Sequence, residues 1–532
     1  MLVPGSATLN KGGLASVNSV SCAAPGDCAA TGSYADRALN VQAFVAEEKA
    51  GRWRAAREVP GTAALNKFSA NALSVSCASA GNCALGGFYE RADQASEAFV
   101  AAEAGGIWHP AVPVRGTAGA GAAVSSVSCA GVGDCVAGGY FTDHLGHNQA
   151  FVVGQTRGRW GSAITVAARL NVAGNAYIAS VSCKPAGDCL AGGFYSVKPG
   201  QTQAFVVAER HGVWSAAREV AGGLNVGVFG TVTSVSCASP GNCAAVGSYT
   251  GRAGHLQAFV VTQQRGLWSP AGRVAGALND GGDAQANVVS CPAAGDCAAG
   301  GSFTSAATGQ QAFVVSERHG VWSAAQQVAA ALNISGDTSV DAISCPSAGN
   351  CAAGGDYGVG NPFFDAFVVT QRSGTWLAAT QIAGNLNTQA GGTVESLSCV
   401  SVGQCTAGGL VSQTAGGEAF VVTGSITQPT STTLSLSSAS VSYGHEQSER
   451  LSVTVRARFG GTPAGTVAVR AGAATICVIH VTAGAGSCAL TAKRLRPGTY
   501  RLIAAYAGGA GFLRSTATAR TLTVRRAQPT LV

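Results

Sequence analysis

Two cysteines six positions apart recur eight times along this chain, and that spacing constrains the fold more than any other feature. The pairs are Cys22/Cys28, Cys77/Cys83, Cys129/Cys135, Cys183/Cys189, Cys237/Cys243, Cys291/Cys297, Cys345/Cys351 and Cys399/Cys405, and successive pairs begin 52 to 55 residues apart. Other landmarks keep the same step. Each pair is followed by an Ala-Phe-Val, with Phe44, Phe99, Phe151, Phe205, Phe259, Phe313, Phe367 and Phe420. A Gly-x-Trp comes next in seven copies, ending in Trp53, Trp108, Trp160, Trp214, Trp268, Trp322 and Trp376, which are all the tryptophans present. A Leu-Asn usually follows, as in Leu224-Asn225.

Each copy reads as four short strands, for example "SVSC", "CAAVGSY", "QAFVVTQ" and "LWSPAGRV", separated by glycine-bearing turns. Alternating apolar positions and β-branched or aromatic residues favour strands over helices. A four-stranded unit of this length, repeated about eight times, predicts an all-β fold built as a β-propeller. The eighth copy has its cysteines and "EAFVVTGS" but no Trp strand, while residues 3–10, "VPGSATLN", match residues 59–66, "VPGTAALN". The start of the chain could therefore supply part of the missing outer strand and close the ring. The missing Trp segment and the export that disulfides demand favour the other expectation, a start that lies further upstream together with a Trp strand and an export signal.

Three chemistries use paired cysteines. Zinc sites join two close pairs, or one pair and histidines, whereas here each pair stands alone and the eight histidines are scattered. Redox centres use Cys-x-x-Cys. A disulfide across a hairpin fits, because five intervening residues can turn the chain and bring the two Cα atoms to about 5.5 Å. The Gly followed by Asp or Asn before the second cysteine in seven of the eight pairs suits a tight turn. Sixteen bridged cysteines imply an oxidising, extracytoplasmic location.

Alternating hairpins place the cystine turn and the Gly-x-Trp turn on one face of the ring. The loop before Ala-Phe-Val and the loop after Leu-Asn fall on the other. The former varies freely and supplies the candidate binding residues Arg91, Asp93, Asp143, His144, Lys198, Arg252, His255, Phe363 and Phe364. Irregular polar loops on a regular scaffold are where ligands bind. Catalysis has little support. Glycoside cleavage needs two carboxyl groups about 5 to 9.5 Å apart, and Asp93, Asp143, Asp280, Asp283 and Asp356 are available without anything in the sequence to pair them.

After residue 425 the character changes. From Thr427 onward twelve Lys/Arg face two Glu, a balance of +10, while the preceding residues carry twenty-one against twenty-four, a balance of −3. A basic domain is suited to an anionic polymer. Residues 426–433 read as a Pro/Thr/Ser linker, 434–526 as alternating strands of an immunoglobulin-like sandwich, and 527–532 as the start of a further linker. Cys477 and Cys488 can bridge adjacent strands of that sandwich.

The C-terminal segment resembles the bacterial Ig-like repeat domains of surface proteins in "STTLSL", "VSYGHEQSERLSVTV", "PAGTVAVR", "LRPGTYRLIAAYAGGAGFLRSTA" and the closing "LTV". That resemblance implies a spacer or adhesive module. The Ser-x-Ser-Cys…Cys-x-Ala-x-Gly copies resemble propeller units of uncharacterised secreted actinobacterial proteins, which implies a fold and a compartment. "SERHGVW", residues 316–322, resembles the Asp-box turn of sialidase-like propellers but lacks its Asp and shortens its Gly-to-Trp spacing.

The expected protein is a secreted or wall-associated scaffold that binds glycan, wall polymer or protein through the propeller loops. The alternatives are a sialidase-like glycosidase or lyase acting in the propeller pocket, and a structural stalk. The expected partners are an extracellular glycan, an anionic wall polymer or a protein, without nucleic acid, cofactor or metal, and the chain is expected to be monomeric. Apolar runs are interrupted before about 18 residues, so no transmembrane helix is expected.

Overall fold

The computed structural model describes residues 1–184, 188–280, 282–360, 363–389, 391–414, 416–425, 430–457, 463–509 and 512–527. The chain divides into two compact units, residues 1–401 with 405–423, and residues 424–532 with 402–404.

The first unit is an eight-bladed β-propeller. Blade 5 shows the pattern: Gly230–Ser239, Asn242–Thr250 and Leu256–Gln264 form an antiparallel meander from the axis outward. The expected outer strand is split into two pieces, Leu267–Trp268 and Gly272–Arg273, both paired with Leu256–Gln264. One extra residue causes the break. Between Trp268, opposite Gln263, and Gly272, opposite Val260, three residues stand against two, and this bulge recurs in all seven blades that have a Trp piece. In blades 4, 5 and 6 a serine in the bulge, Ser215, Ser269 or Ser323, also accepts an N–H of the third strand.

The inner strands touch their neighbours in sequence around the axis, and the inner strand of blade 8, Gly392–Ser401, touches that of blade 1, Ala15–Ala24. Valines pack between blades, as Val17 and Val20 of blade 1 do against Ala419 and Val421 of blade 8. The ring closes as the repeat alignment anticipated. Val3 donates its N–H to Ala419 O at 3.0 Å, as Val59 does to Ala43 O in blade 1, and Met1 and Val421 exchange backbone bonds of 3.0 Å. The eighth sheet otherwise has three strands, without a Trp piece among the described residues.

The sequence landmarks acquire physical reasons here. All eight hairpin disulfides are formed: Cys22–Cys28, Cys77–Cys83, Cys129–Cys135, Cys183–Cys189, Cys237–Cys243, Cys291–Cys297, Cys345–Cys351 and Cys399–Cys405. Their Cα atoms are 3.9 to 4.1 Å apart, which corrects the expected separation of about 5.5 Å. The reason is register. In blades 1 to 5 the two cysteines stand directly opposite each other on adjacent strands. The N–H of each first cysteine is turned to a neighbouring blade, and opposed residues that exchange no backbone bonds are the closer kind of antiparallel pair, at about 4.5 Å.

That N–H is the joint between blades. Ser236 Oγ, just before Cys237, accepts the N–H of Cys291 in the next blade at 3.0 Å. This bond recurs at all eight junctions, including Ser398 to Cys22 across the closure. The earlier serine of Ser-x-Ser-Cys accepts the N–H two residues before the next blade's cysteine at six junctions. At the other two, Val288 and Ala342 stand in its place. The asparagine of Leu-Asn clamps its connector to the third strand, as Asn225 does to Thr202 O at 3.1 Å.

A glycine such as Gly247 is required in each second strand. There a Cβ would lie 1.9 Å from the carbonyl oxygen of Thr231, which an inner-strand bulge pushes against it.

The second unit is a β-sandwich. One sheet has Thr430–Leu436, Arg450–Ala457 and Ala485–Ala489; the other runs Ser440–Ser442, Arg520–Arg525, Gly498–Tyr506, Gly465–Ala471, Ala474–Val481, with Ser515–Thr516 at its side. Leu451, Val453, Val467, Val469, Leu502, Tyr506 and Leu522 fill the space between them. Cys477 and Cys488 are bridged, but they lie on strands of different sheets, so the disulfide ties the two layers together instead of adjacent strands of one sheet. Residues 426–429 and 528–532, within the two expected linkers, lie outside the described residues.

Candidate functional site

The inner strands run from the loop face to the cystine face. Backbone bonds between the Gly-x-Trp turn and the cystine turn, such as Gly266 N–H to Gly241 O at 2.8 Å, put both turns on one face. The varied loops and the Leu-Asn connectors share the other, where Val41 pairs with Ser69 and Asn148 with Asn175.

The cysteines singled out from sequence belong to the scaffold and not to a ligand site. Cys28, Cys83, Cys135, Cys189, Cys243, Cys297 and Cys351, the second members of their pairs, are buried. Cys405, the second member in blade 8, is half-buried. Cys83, Cys135 and Cys297 pack with valines and alanines between blades, and Cys351 lies against Trp376. Each is bridged, so none offers a thiol to a metal or a substrate. Burial follows from position, since each opens the second strand, which is sandwiched between the first and the third.

Residues just before Ser-x-Ser-Cys occupy the loop-side half of the axial channel, at the bulge. Asn18, Leu73, Ser125, Ala179, Thr233, Asn287, Asp341 and Glu395 take this position in blades 1 to 8. Where the side chain can donate, it binds a carbonyl of the next blade: Asn18 to Ala72 O at 3.0 Å and Asn287 to Val340 O at 3.2 Å. Asp341 and Glu395 are ordinarily carboxylates and cannot play that part while ionised.

They cluster instead. Asp341 accepts hydrogen bonds from Ser339 Oγ at 2.8 Å and Asn287 Nδ2 at 3.1 Å. It also shares a hydrogen bond with Asp356, which projects from the second strand of the same blade. Enclosure in the channel wall and the Asp341 charge, reinforced by that hydrogen bond, push Asp356 up to about 8. Enclosure also raises Asp341, against the pull of its donors, and raises Glu395. The pair thus holds a proton at neutral pH. Glu395 remains open to water although protein surrounds it, as expected of a side chain in a solvent-filled channel.

The opposite wall is aromatic. Phe88, Tyr140 and Phe194 occupy the Asp356 position in blades 2, 3 and 4, and Tyr177 faces Phe194 across the strands. The Tyr140 and Tyr177 ring centroids are 5.7 Å apart, and Tyr177 stacks on Phe194 at 5.9 Å. All four rings are half-buried. Burial pushes the Tyr177 phenol up. Blades 3 and 4 lie four steps around an eight-membered ring from blades 7 and 8, so the aromatic and carboxyl clusters occupy opposite sides of the ring.

The loop residues expected from sequence sit on five different blades of this same face. Arg91 is paired with Asp93 and Glu97, both at 2.8 Å. Asp143 is spent on its own turn, accepting the N–H groups of Leu145 and His147 at 2.9 Å, while His144 is exposed beside it. His255 lies 3.6 Å from Asp283, and Lys198, Arg252 and Phe363 are exposed. Phe364 is half-buried and pairs with Gly391. Among the described residues no hydrogen bond or ion pair joins two of these loops. Of the five aspartates available from sequence, Asp356 alone meets a second carboxyl among those described. Asp341 and Glu395, its neighbours, were missed. Aligning the eight copies and asking which channel column changes charge would have found them.

No curated protein sequence matches the chain. Among solved structures, a protein of unknown function from Dyadobacter fermentans is 13% identical with a TM-score of 0.35, covering 59% of this chain and 96% of that one. A polysaccharide lyase, an ulvan lyase of family PL25, is 9% identical with a TM-score of 0.38, covering 77% of this chain and 94% of its own. The Hadza microbial sialidase Hz136 is 10% identical with a TM-score of 0.35, covering 59% and 66% respectively. In sequence, residues 432–525 match the bacterial Ig-like domain family, group 3, and this segment folds as the sandwich such a domain requires.

Proposed function

We propose that the protein is an extracytoplasmic glycan-binding scaffold whose ligand enters the axial channel from the loop face. The observation that carries this reading is the presence on one ring of an aromatic cluster, Tyr140, Tyr177 and Phe194, and a carboxyl cluster, Asp341, Asp356 and Glu395, in opposite blades. A sugar ring has apolar C–H faces and a polar edge. Aromatic side chains present flat apolar surface with little conformational entropy to lose, and carboxyl groups accept or donate hydrogen bonds at the edge. Because the Asp341–Asp356 pair keeps a proton at neutral pH, it offers both a donor and an acceptor. The exposed Arg252, Lys198 and Phe363 and their neighbours surround the entrance and select what reaches it. The hairpin disulfides and the bacterial Ig-like domain support placement outside the cytoplasm, with the wall as the anchoring surface. No helix among the described residues is long and apolar enough to cross a membrane.

The test is binding of the whole protein to a polysaccharide panel by calorimetry. Tyr177→Ala is expected to weaken the best ligand about tenfold, which corresponds to about 1.4 kcal/mol. Binding that survives both Tyr140→Ala and Tyr177→Ala would remove the channel from consideration.

The shared proton favours a second reading, a glycosidase or lyase. A carboxyl group that stays protonated at neutral pH is suited to act as a general acid. Bond cleavage by the wild-type protein, abolished by Asp356→Asn with binding retained, would replace the binding-only reading with this one.

A further inference from the structure

The sandwich unit has an unusual division of charge. Its sequence from Thr427 onward contains twelve Lys/Arg and two Glu, and both glutamates are buried, Glu446 at 0% and Glu449 at 1% exposure. Each is spent on backbone. Glu449 accepts the N–H groups of Ser437 and Ser438, both at 2.9 Å. Glu446 accepts those of Gly444 at 2.9 Å and Lys493 at 2.7 Å. Among the described residues of this unit no ion pair forms, so its surface charge is positive only.

Strand register concentrates part of that charge. On the three adjacent strands Gly465–Ala471, Gly498–Tyr506 and Arg520–Arg525, the residues Val467, Val469, Leu502, Ala504, Leu522 and Val524 point into the core. The alternate positions point outward and carry Arg470, Arg501 and Arg525, all exposed. Arg470 pairs with Ile503, two residues from Arg501 on the same strand, so the three arginines run diagonally across an open sheet face. Along the central strand Arg470 stands two residues from Arg501 on one side and Arg525 four residues from it on the other, and these like charges have no compensating ion pair among the described residues of the unit.

We propose that this sheet face binds an extended phosphodiester polymer outside the cell. Guanidinium groups match phosphate oxygens in paired hydrogen bonds. A flat face without a cleft suits a linear chain read by charge more than a folded ligand read by shape. The face lacks the tryptophans, tyrosines and leucines that insert into a bilayer interface, since its large exposed apolar residues are Ile503 and Val478. That favours a polymer over a lipid surface. The proposal is independent of the channel and stands or falls separately.

The test titrates the whole protein with labelled poly(glycerol phosphate) by fluorescence anisotropy at 50 and 200 mM salt. For three phosphate contacts on a flexible chain, log affinity against log salt is expected to have a slope of about −2. The triple variant R470Q/R501Q/R525Q is expected to bind at least about tenfold more weakly at low salt and to lose most of that slope. Because these side chains are exposed, the thermal midpoint of the variant is the check on folding. A control variant, R37Q/R52Q/R169Q, removes three exposed propeller arginines and is expected to leave binding unchanged. Failure of the wild-type protein to bind, equal losses in both triple variants, or binding to phosphatidylglycerol vesicles but not to the polymer would each overturn the proposal.

Discussion

The two ends of the propeller channel are made by the same eight strands, yet they follow different rules. At the cystine end every blade has serine then cysteine, and every junction repeats the same hydrogen bond between neighbours. A few residues earlier on those strands, one position holds Asn, Leu, Ser, Ala, Thr, Asn, Asp and Glu in turn. The difference lies in what fails when the residue changes. A buried N–H without a partner costs about 1–3 kcal/mol, so the cystine end tolerates no substitution of its acceptor. At the loop end the side chain faces a solvent-filled channel, where water can take its place. Repetition therefore marks the joint, and variation marks the surface available to a ligand.

The largest effect expected from this contrast is on stability. Ser182→Val with Ser236→Val removes the acceptors for the buried N–H groups of Cys237 and Cys291. Each is expected to cost about 1–3 kcal/mol, read as a lower midpoint in chemical denaturation. Thr233→Val, which removes a loop-end donor to the next blade, is expected to cost clearly less. Equal costs would erase the distinction between the two ends.

A second expectation concerns pH. Opposite the tryptophans, the third strands carry Glu48, Glu103, Gln155, Glu209, Gln263, Glu317 and Gln371, all buried. Burial, together with a hydrogen bond and charge from Glu47, raises Glu103 to about 8; burial and the charges of Asp134 and Asp188 raise Glu209 to about 7. An unfolded glutamate ionises near 4.5. Between that value and about 8 the folded protein holds protons that the unfolded chain has released. Stability must therefore fall as pH rises through this window, and it levels off above it. Asp356 acts in the same direction. The repeat supplies its own control, because glutamine already occupies the position in blades 3, 5 and 7. Glu103→Gln with Glu209→Gln is expected to flatten the dependence of the thermal midpoint on pH, and an unchanged slope would refute the assignment.

The smallest effect is a gain. Blade 7 has Ala342 where six other blades have the first serine of Ser-x-Ser-Cys. Ala342→Ser places an acceptor near the N–H of Leu397 and is expected to stabilise by about 0.5–1 kcal/mol in urea denaturation. A loss would mean that the junction between blades 7 and 8 differs in geometry from the rest.

Much of this architecture was legible because repetition converts local patterns into long-range ones. The spacing of the cysteines, the match of residues 3–10 to 59–66 and the alternation of turns were enough for the staples, the closure and the two faces. The joints were not legible. Nothing local shows that Ser236 answers an N–H some 55 residues away in Cys291, since each serine also looks like an ordinary polar strand residue. The split of the outer strand depended on one extra residue between Trp268 and Gly272, which propensity does not register. The channel carboxyls were hidden for a different reason. Asp341 and Asp356 meet only through the pairing of two strands in blade 7, and Glu395 joins them only because blade 8 packs on that blade, neither of which a local stretch of sequence displays.

The serine joint also bears on how such a chain grows. Each repeat carries an acceptor for the blade after it and a donor for the blade before it, so any copy fits behind any other. Tandem duplication of one gene segment would then extend the array without new chemistry at the seams. What halts the extension is curvature: once Ser398 meets Cys22, no donor is left over for a ninth copy to satisfy.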